Sequence, residues 1–120
     1  MSPWDADLVS LLPPSVKIFA SAGAGYNDIS VPSLTAHGIY YTNGAGASDE
    51  AVADTTLYMI LSVFRNFTAS QIAARSGDTE RFLECHRNLA GVSTNPRGKV
   101  LGLIGLGRIG SEVVRKVRVG

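Results

Sequence analysis

The chain has 120 residues, 45% of them hydrophobic, and a mean hydropathy of +0.14, which is typical of a globular protein rather than a disordered one. Eleven Lys and Arg residues balance ten Asp and Glu residues. The resulting net charge of +1 gives no electrostatic reason to expect binding to nucleic acid, to a membrane surface or to an acidic partner.

The first residues lack the basic region and apolar run of a signal peptide, and no segment approaches the roughly 18 uninterrupted apolar residues of a membrane span. A single cysteine excludes an internal disulfide framework and is consistent with a reducing compartment. We therefore expect a soluble, cytoplasmic protein.

The first part of the chain predicts a strand, a helix and a second strand. A short helix is predicted over residues 6–13, where a proline pair ends it, and the apolar, β-branched residues 16–20 favour a strand. A helix with proline in its first turn is predicted over residues 31–38, and residues 39–42 are predicted to form the next strand. This βαβ-like order is typical of a parallel sheet.

A long helix is predicted over residues 48–75, with Ser48 as N-cap and Gly77 as terminator. Apolar residues recur at helical spacing on two faces: Ala53, Leu57, Ile60, Phe64 and Phe67 on one, Val52, Met59 and Val63 on the other. We expect this helix to be buried on more than one side, between structural units. Residues 78–98 are polar, show no clear period and are predicted to be a connecting segment.

The last stretch predicts a buried strand over residues 99–104, a glycine-rich turn and the start of a helix. In the pattern Gly105-x-Gly107-x-x-Gly110, the first glycine allows the tight turn. The second lets the backbone approach a pyrophosphate, and the third lets the helix pack closely on the strand. Because helix N–H groups then face the phosphates, the stretch predicts a dinucleotide site, with a chance glycine turn as the alternative.

The two histidines and the cysteine do not form a recognisable catalytic or metal site. His37, beside the glycine that ends its helix, is predicted to contact the exposed carbonyl groups of that helix. Cys85 and His86 are adjacent, so their side chains would point apart on a helix, and no further ligand has suitable spacing. We expect no metal site.

Several motifs follow one another in a fixed order: residues 17–29, residues 38–43, residues 52–54, Arg65 and residues 105–110. Together they resemble the D-isomer-specific 2-hydroxyacid dehydrogenases, and residues 95–98 are most similar to the fungal branch with its glyoxylate reductase-like and D-mandelate dehydrogenase-like members. The resemblance covers residues 6–120. It implies an α/β protein in which the end of a flavodoxin-like substrate domain, residues 1–47, is joined by a long helix to the start of a Rossmann NAD(P)-binding domain, residues 48–120.

The resemblance also implies an oxidoreductase that transfers hydride between NAD(P)H and a 2-oxo acid such as glyoxylate or hydroxypyruvate. Backbone N–H groups of one loop would contact the substrate carboxylate: Ala22, Gly23, Ala24 and Gly25. Ala24 would also lie near the nicotinamide end of the cofactor, and small residues suit such a close approach. An ordinary strand-to-helix turn is the alternative for this loop.

The cofactor, NAD or NADP, would be held by residues in the second loop: Gly105, Gly107, Arg108, Ile109 and Gly110. Arg108 would be able to reach a phosphate oxygen. The family distinguishes NAD from NADP by a residue after the second Rossmann strand, so the resemblance leaves this choice open.

The chain departs from the family pattern at three places. Asn27 and Ser30 stand where members usually carry aspartate, and the residue after Asn43 is glycine rather than the common proline. The family's substrate-binding arginine, orienting glutamate and proton-transferring histidine lie beyond the glycine fingerprint, so no catalytic residue is assigned in this chain. We expect an internal fragment that is inactive alone and whose parent is a homodimer; the alternative is a truncated, non-catalytic binding or dimerisation module built on residues 48–75.

Overall fold

The computed structural model describes residues 3–118, and the chain divides into two compact units, Met1–Asp49 and Glu50–Gly120. The first unit contains α1 (Ala6–Ser10), β1 (Ile18–Ala20), α2 (Val31–Ala36) and β2 (Tyr40–Thr42). The remaining helices are α3 (Asp49–Arg65), α4 (Phe67–Arg75), α5 (Thr79–Val92) and α6 (Arg108–Val117). The roles expected for residues 1–47 and 48–120, as substrate and dinucleotide domains, stay predictions.

The predicted βαβ order is confirmed in the first unit. β1 and β2 pair in parallel, with Phe19 opposite Tyr41, and α2 lies between them in the chain. Parallel strands need such a crossover because no tight turn can join them. Gly38 ends the helical stretch with a φ of 68°, in the left-handed region that glycine adopts without steric cost.

The first helix is shorter than the predicted range of 6–13. Its N-cap is Asp5, whose side chain accepts a hydrogen bond from the Leu8 N–H at 3.0 Å. It ends at Ser10, since the N–H groups of Leu11 and Leu12 donate to carbonyl groups only three residues back. The strands are also slightly shorter than predicted.

The core of the first unit lies among α1, α2 and the strand pair. Val9, Leu34 and Ile39 are buried there, and partly buried side chains surround them: Leu12, Val16, Phe19, Ile29 and Tyr41. The ring of Trp4 packs edge-on against Phe19, with 4.9 Å between ring centroids. One βαβ unit therefore has its own hydrophobic core.

The single long helix predicted over residues 48–75 is wrong, because the helix breaks at Asn66. This residue adopts a φ of 53°, in the left-handed region that asparagine tolerates better than most residues. Contacts with the segment after α5 hold the break: Asn66 Nδ2 donates to Ser93 Oγ at 3.2 Å, and the Thr94 N–H donates to Phe64 O at 2.8 Å. α3 and α4 are therefore separate helices.

The prediction of an irregular connection over residues 78–98 is also wrong, since α5 occupies residues 79–92. Asp78 caps this helix by accepting a hydrogen bond from the Arg81 N–H at 3.1 Å. Phe82, Cys85 and Leu89 stand three and four residues apart, and all three line a cleft against α4. The cap and this spacing are the sequence signals that indicate the helix.

The buried strand predicted over residues 99–104 is wrong as well, because residues 99–104 form no strand in the described part of the chain. A strand needs a neighbour to accept and donate its backbone hydrogen bonds, and residues 3–118 contain only the β1–β2 sheet. These residues are solvent-exposed, with Val100 97% exposed.

The predicted burial of α3 on more than one side is not observed. Ala53 is its buried residue, whereas Met59 is 60% and Val63 is 77% exposed. Its apolar faces therefore point to solvent over much of their length. Among residues 3–118, no helix is both long enough and apolar enough to span a bilayer.

Candidate functional site

The predicted substrate loop, Ala22–Gly25, is an exposed turn directly after β1. Its carbonyl groups are held by the segment that follows β2: Asn43 Nδ2 donates to Ala24 O at 3.0 Å, and the Gly44 N–H donates to Gly23 O at 3.1 Å. The Ser21 N–H donates to Thr42 O at 2.9 Å and extends the strand pairing into the loop. The loop is therefore held in place by hydrogen bonds that its backbone carbonyl groups accept.

The donor groups of this loop remain available. Within residues 3–118, no described atom accepts a hydrogen bond from the backbone N–H of any residue from Ala22 to Gly25. Backbone N–H groups without an acceptor in the protein can attract anions, because each N–H carries a partial positive charge. These donors are therefore available to a ligand.

The small residues of the loop are not explained by packing within the protein. A Cβ added at Gly23 or Gly25 would meet nothing within 4 Å, and neither has a positive φ. Gly44 is different, because a Cβ there would lie 2.5 Å from Ala22 O, too close for any side chain. The fold thus requires Gly44, whereas Gly23 and Gly25 leave open space for a ligand.

Asn43 and Gly44 are the site residues that sequence reasoning missed, although Asn43 ends one of the family motifs and Gly44 follows it. The signal was their position directly after β2, since loops at the carboxyl ends of neighbouring parallel strands meet at one edge of a sheet. The Asn43 side chain also accepts from the Ala45 N–H at 3.3 Å, which orients its amide toward the loop.

The glycines of the second loop divide into two kinds. Gly105 has a φ of 86°, and a Cβ at Gly110 would lie 2.7 Å from Gly105 O, so the turn requires both. Gly107 is the N-cap of α6 with a φ of −81°, and a Cβ there would meet nothing within 4 Å. Its lack of a side chain leaves the approach to the helix start open.

The start of α6 presents backbone donors. The Ser111 N–H donates to Gly107 O at 2.9 Å, but the N–H groups of Ile109 and Gly110 donate to no atom of the residues that the structure describes. Arg108 and Ile109 are the first helical residues, and both are exposed. Helix N-termini bind phosphate through such groups, and the helix dipole adds to the attraction.

The two predicted loops belong to different units, Ala22–Gly25 to the first and residues 105–110 to the second. Within each unit the predicted residues come together as one continuous turn. Asn43 and Gly44 complete the first turn, and in the second turn Gly110 lies close to Gly105 O.

The remaining candidates have other environments. The predicted role of His37 is confirmed, because its Nδ1 lies 2.8 Å from Ser33 O at the C-terminal end of α2. Cys85 and His86, although adjacent on α5, both line a cleft of about 600 Å³ beside α4. Over residues 3–118, no group of three or more His, Cys, Asp or Glu is arranged to hold a metal ion.

Comparison with known proteins identifies relatives along the whole chain. Residues 1–117 match the family described as D-isomer specific 2-hydroxyacid dehydrogenase, catalytic domain. D-mandelate dehydrogenase from Rhodotorula graminis in its holo form is 47% identical, with a TM-score of 0.87 over 96% of this chain and 33% of that one. A glyoxylate reductase from Paecilomyes thermophila is 35% identical, with a TM-score of 0.80 over 98% of this chain and 34% of that one.

A curated relative, dehydrogenase efuE from Hormonema carpetanum, is 35% identical over 98% of this chain and 28% of its own length. The chain thus spans about a third of the length of the proteins it matches. The solved structures confirm the α/β fold. Because the family match extends over nearly every residue, the chain belongs to the D-isomer-specific 2-hydroxyacid dehydrogenases.

Proposed function

We propose that this chain supplies the substrate-carboxylate loop and the dinucleotide turn of an NAD(P)-dependent oxidoreductase that acts on a 2-oxo acid such as glyoxylate or hydroxypyruvate. The observation that carries this proposal is the first loop, whose carbonyl groups are engaged by Asn43 and Gly44 while its N–H groups face no acceptor in the described chain. A carboxylate is the anion shared by all substrates of this class.

The second loop fits a dinucleotide for a related reason. Gly110 is close enough to Gly105 O to exclude a side chain, and the exposed N–H groups at the start of α6 suit a pyrophosphate. Ile109 and Arg108 flank that position and are proposed to contact the cofactor. When bound, the nicotinamide of NAD or NADP supplies the hydride acceptor or donor.

We also propose that the 120 residues alone bind these ligands without turning them over. The family's chemistry uses a histidine to transfer a proton. Of the two histidines here, His37 contacts Ser33 O, and His86 lines the cleft beside α4, whose lining includes no residue of the proposed loops. Binding, rather than activity, is therefore the property to measure.

Amide NMR spectra recorded during titration with glyoxylate test the substrate loop. We expect the signals of Gly23 and Gly25 to shift, and Asn43→Ala to weaken this binding about tenfold because the loop loses its hydrogen bond at Ala24 O. Asn27→Ala is the matched control, since Asn27 is exposed in the same loop region. Shifts confined to residues outside Ala22–Gly25 would contradict the proposal.

Titration with NADH and NADPH, followed by nucleotide fluorescence, tests the second loop. Gly107→Ala has room for its methyl group within the protein, so we expect a folded chain that binds the nucleotide about tenfold more weakly. Gly102→Ala, also in open space, should bind as the unchanged chain does. Equal binding by the two variants would refute the dinucleotide role of the turn.

A second candidate function is a non-catalytic dimerisation module, favoured by the exposed apolar residues of α3, among them Tyr58, Met59 and Val63. Association through this face would also form the homodimer proposed for the full-length parent. Light scattering separates the candidates: a dimer that Val63→Asp dissociates and Val100→Asp leaves intact, combined with no nucleotide binding, would favour the module.

A further inference from the structure

Five charged side chains form an ion cluster between α3 and α6. Lys116 Nζ lies 2.5 Å from Asp54 Oδ1 and 3.5 Å from Glu50 Oε1. Arg115 Nη2 lies 2.7 Å from Glu112 Oε2 and 3.8 Å from Glu50 Oε1. We call this set the α3–α6 ion cluster.

Lys116 is the enclosed member of the cluster. Its side chain is 15% exposed, whereas those of Asp54 and Glu50 are 63% and 74% exposed. The hydrogen bond to Asp54, followed by the charges of Asp54 and Glu50, raises the pKa of Lys116 above its ordinary value despite some desolvation. The ammonium group therefore stays charged throughout the physiological range, and its shortest contact is with Asp54.

Residues on one face of α6 run from the glycine turn to this cluster. Gly110, Val113 and Lys116 follow at intervals of three residues, so successive members are offset by about 60° and the three lie on one broad face of the helix. Gly110 closely approaches Gly105 O, Val113 is 2% exposed, and Lys116 contacts α3. The residues that hold α6 near its start, in its middle and near its end thus all lie on this face.

We propose that Asp54 and Lys116 are positioning residues: their ion pair sets the rotation of α6 about its axis and so aims the N–H groups at its start. Because a helix of ten residues is stiff, a rotation at Lys116 is transmitted to Gly107 and Ile109, about two to two and a half turns away. Asp54 and Lys116 touch no ligand in this arrangement. The inference rests on the proposed dinucleotide role of the turn.

The experiment compares Asp54→Asn, Lys116→Met and the charge-exchanged double variant Asp54→Lys/Lys116→Asp with the unchanged chain. Arg118→Met is the matched control, since Arg118 is an exposed cation beyond the end of the same helix and outside the cluster. Two quantities are measured: amide hydrogen exchange along α6, with α2 as internal reference, and the dissociation constant for NADH.

We expect each single variant to raise exchange at the start of α6 by about two- to fivefold, the range for a partly exposed ion pair, and to weaken NADH binding by a similar factor. The double variant should recover most of both losses, which a merely destabilising substitution would not do. Exchange in α2 should stay constant.

Two results would overturn the inference: unchanged α6 exchange in Lys116→Met, or an equal change in Arg118→Met. The exchange measurement needs no nucleotide, so it decides the coupling between cluster and turn even if the unchanged chain fails to bind NADH. Failure of the unchanged chain to bind NADH would instead contradict the proposed dinucleotide role of the turn. Unchanged NADH affinity in a variant with faster α6 exchange would overturn the positioning role itself.

Discussion

The two units differ in whether the predicted secondary structure forms. In Met1–Asp49 both predicted strands are present, because β1 and β2 supply each other's hydrogen-bond partners and α2 covers them. In Glu50–Gly120 the equally apolar residues 99–104 form no strand and remain exposed. A βαβ segment contains its own sheet partner, whereas an isolated strand depends on residues elsewhere.

Burial shows the same contrast. Val9, Leu34 and Ile39 form one cluster in the first unit, whereas the buried residues of the second are Ala53, Ala73 and Val113, which lie on three different helices. Few buried apolar side chains mean a low free energy of local opening. We expect the second unit to open more readily than the first.

The largest expected effect is in the core of the first unit. Leu34→Ala removes a fully buried side chain and should lower the free energy of unfolding by about 2–5 kcal/mol, a large share of what a small unit has. Urea unfolding followed by the fluorescence of Trp4, which packs on Phe19, measures this loss. Val100→Ala, at a 97% exposed position, should change it by less than about 0.5 kcal/mol.

If both substitutions lowered the free energy of unfolding equally, the contrast between the buried core and the exposed residues 99–104 would be wrong. If Val100→Ala alone destabilised the chain, residues 99–104 would be packed in solution.

The next effect concerns the glycine turn. Gly105→Ala places a side chain at a φ of 86° and should cost about 1–3 kcal/mol, mainly as faster amide exchange at the start of α6. Gly107→Ala, at a φ of −81° with open space, should leave exchange within error of the unchanged chain. Equal exchange in the two variants would show that the turn does not need the left-handed conformation.

Sequence reasoning succeeded where a pattern is local. The βαβ order, the stop at Gly38, the start of α6 and the contact of His37 follow from residues within a few positions of one another. It failed where the local structure depends on residues that are far away in the sequence. The break at Asn66 depends on Ser93 and Thr94, some 27 residues later, and the strand at 99–104 depends on a partner.

The candidate site follows the same rule. The glycine patterns can be recognised from spacing alone. The role of Asn43 depends on the register of β1 against β2, because pairing of Ala20 with Thr42 brings Asn43 to Ala24. Sequence spacing does not fix that register. The ion pair of Asp54 with Lys116, 62 residues apart, depends on packing in the same way.

A smaller effect is expected at Tyr41 in the first unit. Its hydroxyl oxygen is buried and has no hydrogen-bond partner among the described residues. Because a buried hydroxyl group without a partner costs free energy, Tyr41→Phe should raise the free energy of unfolding by about 1 kcal/mol. Tyr40→Phe, at a 76% exposed position of the same strand, is the control and should be neutral. Destabilisation by Tyr41→Phe would mean that the hydroxyl group has a partner.

The smallest expected effect is a pH dependence confined to the second unit. The pKa of Lys116 is raised, chiefly by its hydrogen bond to Asp54, so its stabilisation is complete below the ordinary value of 10.5 and is lost as the pH rises through the raised pKa. The charged groups around it are Asp54 and Glu50 on α3 and Arg115 and Glu112 on α6. The raised pKa of Arg115 keeps that side chain charged throughout.

Thermal unfolding between about pH 9 and 12 measures this effect as the difference in Tm between the unchanged chain and Lys116→Met. Groups other than residue 116 are common to both proteins, so the comparison isolates the contribution of this position. We expect the difference to be constant at the lower end and to decrease toward zero as the pH rises through the raised pKa of Lys116, because the ammonium charge is then lost. A difference that persisted at the highest pH would mean that Lys116 acts through its aliphatic stem rather than through its charge, and α6 would then be held to α3 by packing, as α2 is held to the first unit by Leu34.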